Sequence, residues 1–303
     1  MTIALFQCLI IIFLALVHEA RSTKLLIAIP TVPRTRLREN EKPYLITTLE
    51  SWREELNSDS ARRFIRLVVV SNEPYDLVFE DARARFNDIA DFMEYQDVVD
   101  EVSCSNPPAV STAETRSSKN IGINRFVRKQ ALDLANTLRR ASQAFESDEY
   151  FTLIEDDFMP CPNVVGRLRD LLQNAEDSYD NWFSIRISFG FSGVILHNGK
   201  DVETVASYIS QHYERRPPDH LLVELFAGET AESLMLKDNR PHLAFKLNLF
   251  KHIGLASTLR SQRDSSPYLD CYQALSTPVV FLVETCSDFD LNGLCAPSNF
   301  GSS

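Results

Sequence analysis

No Gly-x-Gly-x-x-Gly follows the first apolar run of this 303-residue chain, and no Gly-x-x-x-x-Gly-Lys occurs anywhere in it. The glycine cradles of dinucleotide enzymes and of P-loop NTPases are therefore both missing. Basic residues are outnumbered, 31 against 42 acidic ones, and the net charge of -11 excludes general binding to nucleic acid or to an anionic membrane surface. The few cations should matter locally, where a phosphate must be held. The six cysteines have neither Cys-x-x-Cys nor His-rich spacing, so a structural zinc site is not expected. No Asn-x-Ser/Thr acceptor is present, so N-glycosylation of the chain itself is not expected either. The longest apolar run, from Ile3 to Val17, falls short of the ~20 residues that a membrane span needs. It suits the core of a secretory signal, with Ala20-x-Ser22 as cleavage site. Residues 1–22 are thus read as a cleaved signal, and a short anchor is the alternative that would bring the chain to a membrane. Cleavage leaves five cysteines, Cys104, Cys161, Cys271, Cys286 and Cys295. The secretory pathway permits disulfides, and Cys286 with Cys295 could close a short C-terminal loop.

What remains is globular: 44% hydrophobic and 24% charged residues give a core for one large or two modest domains. Lys24 to Pro30 and Ile65 to Val70 read as short buried strands. Between them Leu45, Leu49, Trp52 and Leu56 mark a helix that opens after Pro43. A charged helical stretch from about Tyr75 to Met93 and a weaker strand near Val98 to Val102 follow, then a polar surface loop from Ser105 to Asn120. Val127, Ala131, Leu134 and Leu138 form a further helical stripe, and Tyr150 to Ile154 the next strand. This alternation predicts an α/β fold with a Rossmann-like, mostly parallel central sheet and helices on both faces. Farther on, Val164 to Leu172 reads as a helix, Trp182 to Phe189 as a strand with Phe183, Ile185, Ile187 and Phe189 on one face, and Asp201 to Tyr213 as a helix.

The strand at Tyr150 ends abruptly on Glu155-Asp156-Asp157. Carboxylates at the carboxyl end of a sheet strand lie where open α/β sheets bind ligands. They repel one another unless a cation joins them, and their hard oxygens suit Mg or Mn, which is usually held by one or two carboxylates plus substrate phosphates. A merely solvated acidic turn before Pro160 is the bland alternative. Arg125, Arg128 and Lys129 occupy the first turns of the next-upstream helix, away from its apolar stripe, where cations oppose the helix dipole. A bound phosphate would offset that cost, and a solvated basic face would need no explanation. Gly190-Phe191-Ser192-Gly193 can approach a ligand closely or simply turn the chain. Asp219 follows Pro217-Pro218 into a helical first turn that favours an ionised carboxylate. His252, between an aromatic-rich strand and Gly254, is a candidate metal or phosphate contact.

In order and spacing, Ile29-Pro30-Thr31-Val32, Tyr44 to Leu49, Leu153 to Asp157 with Pro162-Asn163, Gly190 to Gly193, Arg216 to Leu222 and Phe245 to Gly254 resemble the N-acetylglucosaminyltransferase IV family. That resemblance covers about Lys24 to Arg260 and implies a GT-A glycosyltransferase fold that branches N-glycans from UDP-GlcNAc. It implies a catalytic domain over residues 23–262, with residues 263–303 as a tail too short for the family's lectin-like domain. Asp157 would bind Mn or Mg bridging the UDP diphosphate, with His252 as a metal or phosphate contact. Glu155 and Asp156 would lie on the donor, Asp156 nearer the ribose or sugar, while Thr31, Val32 and Arg34 would line the uridine. Arg125, Arg128 and Lys129 would counter the diphosphate. Asp219 is the first candidate for the base that deprotonates the glycan acceptor, and Glu224 the second, since the family's further aspartate is Val223 here. The compartment implied is the Golgi or ER lumen, or secretion. Alternatives are a transferase of the same fold that adds GalNAc or Gal to a lipid-anchor glycan, and a non-catalytic carbohydrate-binding protein. A secreted phosphodiesterase or nuclease would need further spaced Asp or His ligands.

Overall fold

A computed structural model describes residues 25–33, 41–73, 76–95, 123, 125–254, 269–275 and 294–295. The signal or anchor at 1–22, the strand near Val98, the loop 105–120, Arg34 and Cys286 lie outside these residues. Eight strands form one sheet in the order β10-β8-β6-β7-β4-β1-β2-β3. They are β1 (Leu25–Thr31), β2 (Ile65–Ser71), β3 (Ala90–Glu94), β4 (Tyr150–Leu153), β6 (Ser184–Arg186), β7 (Val194–His197), β8 (His242–Phe245) and β10 (Leu294–Cys295). β5 (Phe158–Pro160) and β9 (Phe250–His252) pair separately, with Phe158 opposite His252. Within the main sheet only β7 and β10 run against the rest. The α/β class with a mostly parallel sheet is therefore as expected.

Successive residues of β1 explain why its sequence is apolar throughout. Leu25, Ile27 and Ile29 enter one core and Leu26 and Ala28 the other, because a central parallel strand is covered on both faces. The first core is closed by α1 (Tyr44–Glu55), α2 (Asp59–Phe64), α3 (Leu77–Phe86) and α5 (Val164–Ser178). Leu45, Leu49, Trp52 and Leu56 all point into it, as their spacing predicts. The second core is closed by α4 (Arg125–Ala144), α6 (Lys200–His212) and α7 (Pro218–Ala227), with α8 (Ala231–Lys237) following. Each burial of a large aliphatic side chain contributes on the order of 1.5–3 kcal/mol, so this two-sided core holds the sheet rigid beneath its loops.

Two expectations need correction. The stretch Tyr75 to Met93 is not one helix: it breaks after Phe86, and Ala90–Glu94 pair in parallel with Leu67–Ser71. An unpaired edge of β2 outweighs the local helical pattern there, since strand formation follows context more than propensity. The run Trp182 to Phe189 is strand only over β6. Ile185 and Ile187 share one core while Phe183 lies in the other, and beyond Arg186 the chain leaves the sheet to form the glycine loop.

The direction of the helices fixes what gathers at each sheet edge. α4 leads into β4, so it begins at the carboxyl edge of the parallel strands. β7 runs the other way and ends where β4 begins, with Asn198 N–H bonded to Glu149 carbonyl. α6 therefore climbs back to the carboxyl edge, and α7 opens there.

Candidate active site

Chain order reverses between β1 and β4: β1 leads to β2 and β3 on one side, and β4 opens the other. Ligands of open α/β sheets bind outside such a switch point. The acidic triplet sits there, and its three side chains diverge. Glu155 turns to the glycine loop, where its N–H donates to Ser192 Oγ at 3.0 Å and its Oε2 accepts from the same hydroxyl at 3.1 Å. Asp156 turns across the switch point, accepting from Thr31 Oγ1 at 3.1 Å, while Thr48 Oγ1 of α1 donates to its carbonyl at 2.8 Å. Asp157 turns to β9, where Oδ2 is 3.4 Å from His252 Nε2 and its carbonyl accepts from Ile253 N–H at 2.8 Å. Asp156 and Asp157 are both buried, at 4% and 5% exposure. A buried carboxylate is costly unless hydrogen bonds or a cation compensate, and divergence is how three adjacent ones share the same turn.

Gly254 completes the Asp157 side. A Cβ built there would stand 2.0 Å from Asp157 Oδ2, so any other residue would push the carboxylate aside. The glycine loop is pinned too: Gly193 N–H donates to Leu153 carbonyl at 2.8 Å and its own carbonyl accepts from Ile187 N–H at 2.8 Å. At Gly193, φ of 79° favours glycine. Phe158 supports the His252 ring, with centroids 4.6 Å apart.

The donor set of Asp157 and His252 fits a divalent cation of the Mg or Mn kind whose shell is completed by water and substrate phosphates. Among the described residues no group of three His, Cys, Asp or Glu side chains could hold a metal by themselves. A closed structural metal site is not what this turn provides, and a substrate-completed one matches its chemistry.

The remaining candidates divide. Thr31 and Val32 lie at the end of β1, Thr31 buried and Val32 half-buried. Arg125 is exposed and lies over the Phe126 ring. Arg128, expected to counter the diphosphate with a solvated basic face as the alternative, is buried at 2% exposure, with Nη1 3.9 Å from Glu214. Lys129 is ion-paired to Glu73 at 2.9 Å and Asp133 at 2.7 Å. Burial works against its charge, but those two carboxylates prevail and raise its pKa. The Arg128–Glu214 proximity joins the start of α4 to the turn before α7, which places half-buried Asp219 on the same sheet edge as the triplet.

Glu224 is the clear correction. Its carboxylate has no exposed surface and is enclosed by Tyr208, Arg215 and Arg216, so it cannot reach an acceptor hydroxyl. Burial tends to raise its pKa, yet the Arg215 and Tyr208 hydrogen bonds and the two guanidinium charges hold it below the ordinary value.

Sequence reasoning missed Thr48, whose hydroxyl holds the Asp156 backbone, and the Cys161–Cys271 disulfide. The bond ties the turn after β5 to residues 269–275. Those residues pack on Asn248, whose amide donates to the carbonyls of Phe250, Leu269 and Asp270. Part of the expected tail thus braces β9. Nothing in cysteine spacing indicates a pair 110 residues apart.

No protein-family profile matches the chain. It is 26% identical over 116 residues to the mouse alpha-1,3-mannosyl-glycoprotein 4-beta-N-acetylglucosaminyltransferase-like protein MGAT4D, spanning 36% of this chain and 30% of that protein. It is also 26% identical over 136 residues to the Danio rerio alpha-1,3-mannosyl-glycoprotein 4-beta-N-acetylglucosaminyltransferase C, spanning 45% and 27%. The chain thus matches less than a third of either relative's length. Among solved structures it is similar to a glycosyltransferase involved in glycosylation of the major capsid of PBCV-1 (TM-score 0.38, 10% identity, 76% of this chain and 92% of that one). Mouse xyloside xylosyltransferase 1 in its apo form is another (TM-score 0.36, 13% identity, 68% and 82%). The resemblance read from the sequence is therefore supported by curated relatives, and the chain is similar over part of its length to the N-acetylglucosaminyltransferase IV family.

Proposed function

We propose that this chain is a metal-dependent inverting glycosyltransferase that moves GlcNAc from UDP-GlcNAc to a mannose of a glycoprotein N-glycan in the Golgi or ER lumen. The observation that carries the reading is the Asp157–His252 pair at the sheet's switch point, 3.4 Å apart and closed by Gly254. Asp157 and His252 would hold the cation. When bound, Mn or Mg neutralises the negative charge of the departing diphosphate. Thr31 and Val32 line the end of β1 for the uridine, and Asp156, fixed by Thr31 and Thr48, faces the ribose or sugar. Glu155, held by Ser192, sets the glycine loop against the donor.

In the transfer itself the acceptor hydroxyl oxygen forms a bond to the anomeric carbon as the bond to the UDP oxygen breaks. Asp219 takes the hydroxyl proton, a role that requires hydrogen-bond reach of the nucleophile on the face opposite the leaving group. It occupies the first turn of α7, where the helix dipole favours an acidic side chain. The Cys161–Cys271 disulfide accords with an oxidising compartment. The test is a donor panel of several UDP-sugars, with and without Mn, on residues 23–303. Manganese-dependent turnover restricted to UDP-GlcNAc supports the reading; turnover of another sugar moves the donor assignment, and glycan binding without any turnover overturns it.

A further inference from the structure

Glu224, Arg215 and Arg216 form a charge cluster around a buried carboxylate that the reaction as described does not use. Arg215 Nη1 donates to Glu224 Oε2 at 2.6 Å and Nη2 donates to Oε1. Arg216 Nη1 reaches Oε2 at 3.0 Å and Glu229 Oε2 at 3.1 Å, while the Tyr208 hydroxyl of α6 donates to Oε1. Bidentate pairing of this kind fixes orientation as well as charge. The two arginines immediately precede Pro217-Pro218-Asp219, so the clamp folds the turn before α7 back onto the helix's middle. The backbone closes the same turn: Arg215 N–H donates to His212 carbonyl at 2.9 Å and Leu221 N–H to Pro217 carbonyl at 3.0 Å. Tyr208 ties that clamp to α6, which packs against α4.

We propose that Glu224 is a positioning residue whose paired arginines set the turn from which Asp219 presents its carboxylate. The inference rests on Asp219 being the acceptor base. A fully enclosed acid within an arginine fork does no proton transfer of its own, yet two of the three side chains that hold its carboxylate, Arg215 and Arg216, lie just before Asp219. The alternative of a purely global stabiliser would leave the turn itself unaltered.

The experiment compares E224Q, E224D and D219N by hydrogen exchange at the Arg215 and Leu221 amides, by UDP binding in the presence of Mn, and by transfer kinetics. Gln keeps the shape of Glu224 and removes the charge. In E224Q, exchange at those two amides should quicken at least tenfold relative to amides in β1. UDP affinity should stay within about twofold, and kcat should fall ten- to a hundredfold with donor KM unchanged. E224D, which keeps the charge, should recover part of both losses. D219N should lose transfer with exchange unchanged. Unaltered exchange in E224Q overturns the proposal, as does a collapse of transfer to the D219N level with exchange unaltered, which would make Glu224 itself the base. If D219N transfers normally, or the unmodified protein transfers nothing, the catalytic reading fails separately, and the exchange result alone then upholds or overturns the clamp.

Discussion

At the scale of single residues the site depends on one carboxylate and one missing side chain. Asp157→Ala should lower metal-dependent UDP-sugar turnover by about 100-fold or more, the order of losing a principal electrostatic stabiliser. Added Mn should raise the melting temperature of the unmodified protein, because a ligand bound only by the folded state stabilises it. That rise should vanish in Asp157→Ala, and a persistent rise would move the cation elsewhere. Gly254→Ala tests the same geometry without touching a donor atom. Its new methyl would meet Asp157 Oδ2 at 2.0 Å, so the carboxylate must move, at a cost of about 1–3 kcal/mol for overpacking. Calorimetry should show that loss together with a weakened Mn response. The place of Asp157 just past a strand end was legible because a strand ending on carboxylates is a sequence pattern. The need for glycine at 254 was not, since it arises from contact between chain segments nearly a hundred residues apart.

Among elements, the β5–β9 ribbon carries His252 and is held from outside the main sheet. Asn248 ties β9 to residues 269–275, and the Cys161–Cys271 bond fastens those residues to the turn after β5. Cross-linking across 110 residues restricts the unfolded chain, and loss of such a bond costs about 2–5 kcal/mol. Cys271→Ser should therefore lower the melting temperature and weaken the Mn response, measured by thermal scans with and without the ion. A lowered melting temperature with an intact Mn response would show that the bond stabilises the fold without ordering His252. The helices were legible wherever an apolar stripe faced a single core, as for Leu45, Leu49, Trp52 and Leu56. β3 was not, because its five residues become a strand only when β2 offers an open edge. The burial of Arg128 was not legible for a related reason: Glu214 beside it lies in the turn before α7, far along the chain.

Across the whole molecule, acid sensitivity follows from one histidine at the far side of the sheet. His242 begins β8, with Nδ1 2.7 Å from Ser184 Oγ and its ring stacked on Phe226 at 4.6 Å and 5°. Burial, then the positive charges of Arg186 and Lys237, push its pKa down from 6.5 to about 3. Between those values the unfolded chain binds a proton that the folded chain refuses, so this stability is fully present above about pH 6.5 and is lost progressively as the pH falls toward 3. The slope from one such group is at most about 1.4 kcal/mol per pH unit. Melting temperatures taken from pH 7 to pH 5 cover that fall while most carboxylates remain ionised, and a variant lacking the ring separates it from the other histidines. The unmodified protein should lose stability over that interval, and His242→Asn, less stable at pH 7 for want of the stacked ring, should show a visibly flatter decline. Equal slopes for the two proteins would place the acid sensitivity in other groups. Because Ser184 and His242 are paired across β6 and β8, the proton would be taken up at the sheet edge opposite the acidic turn.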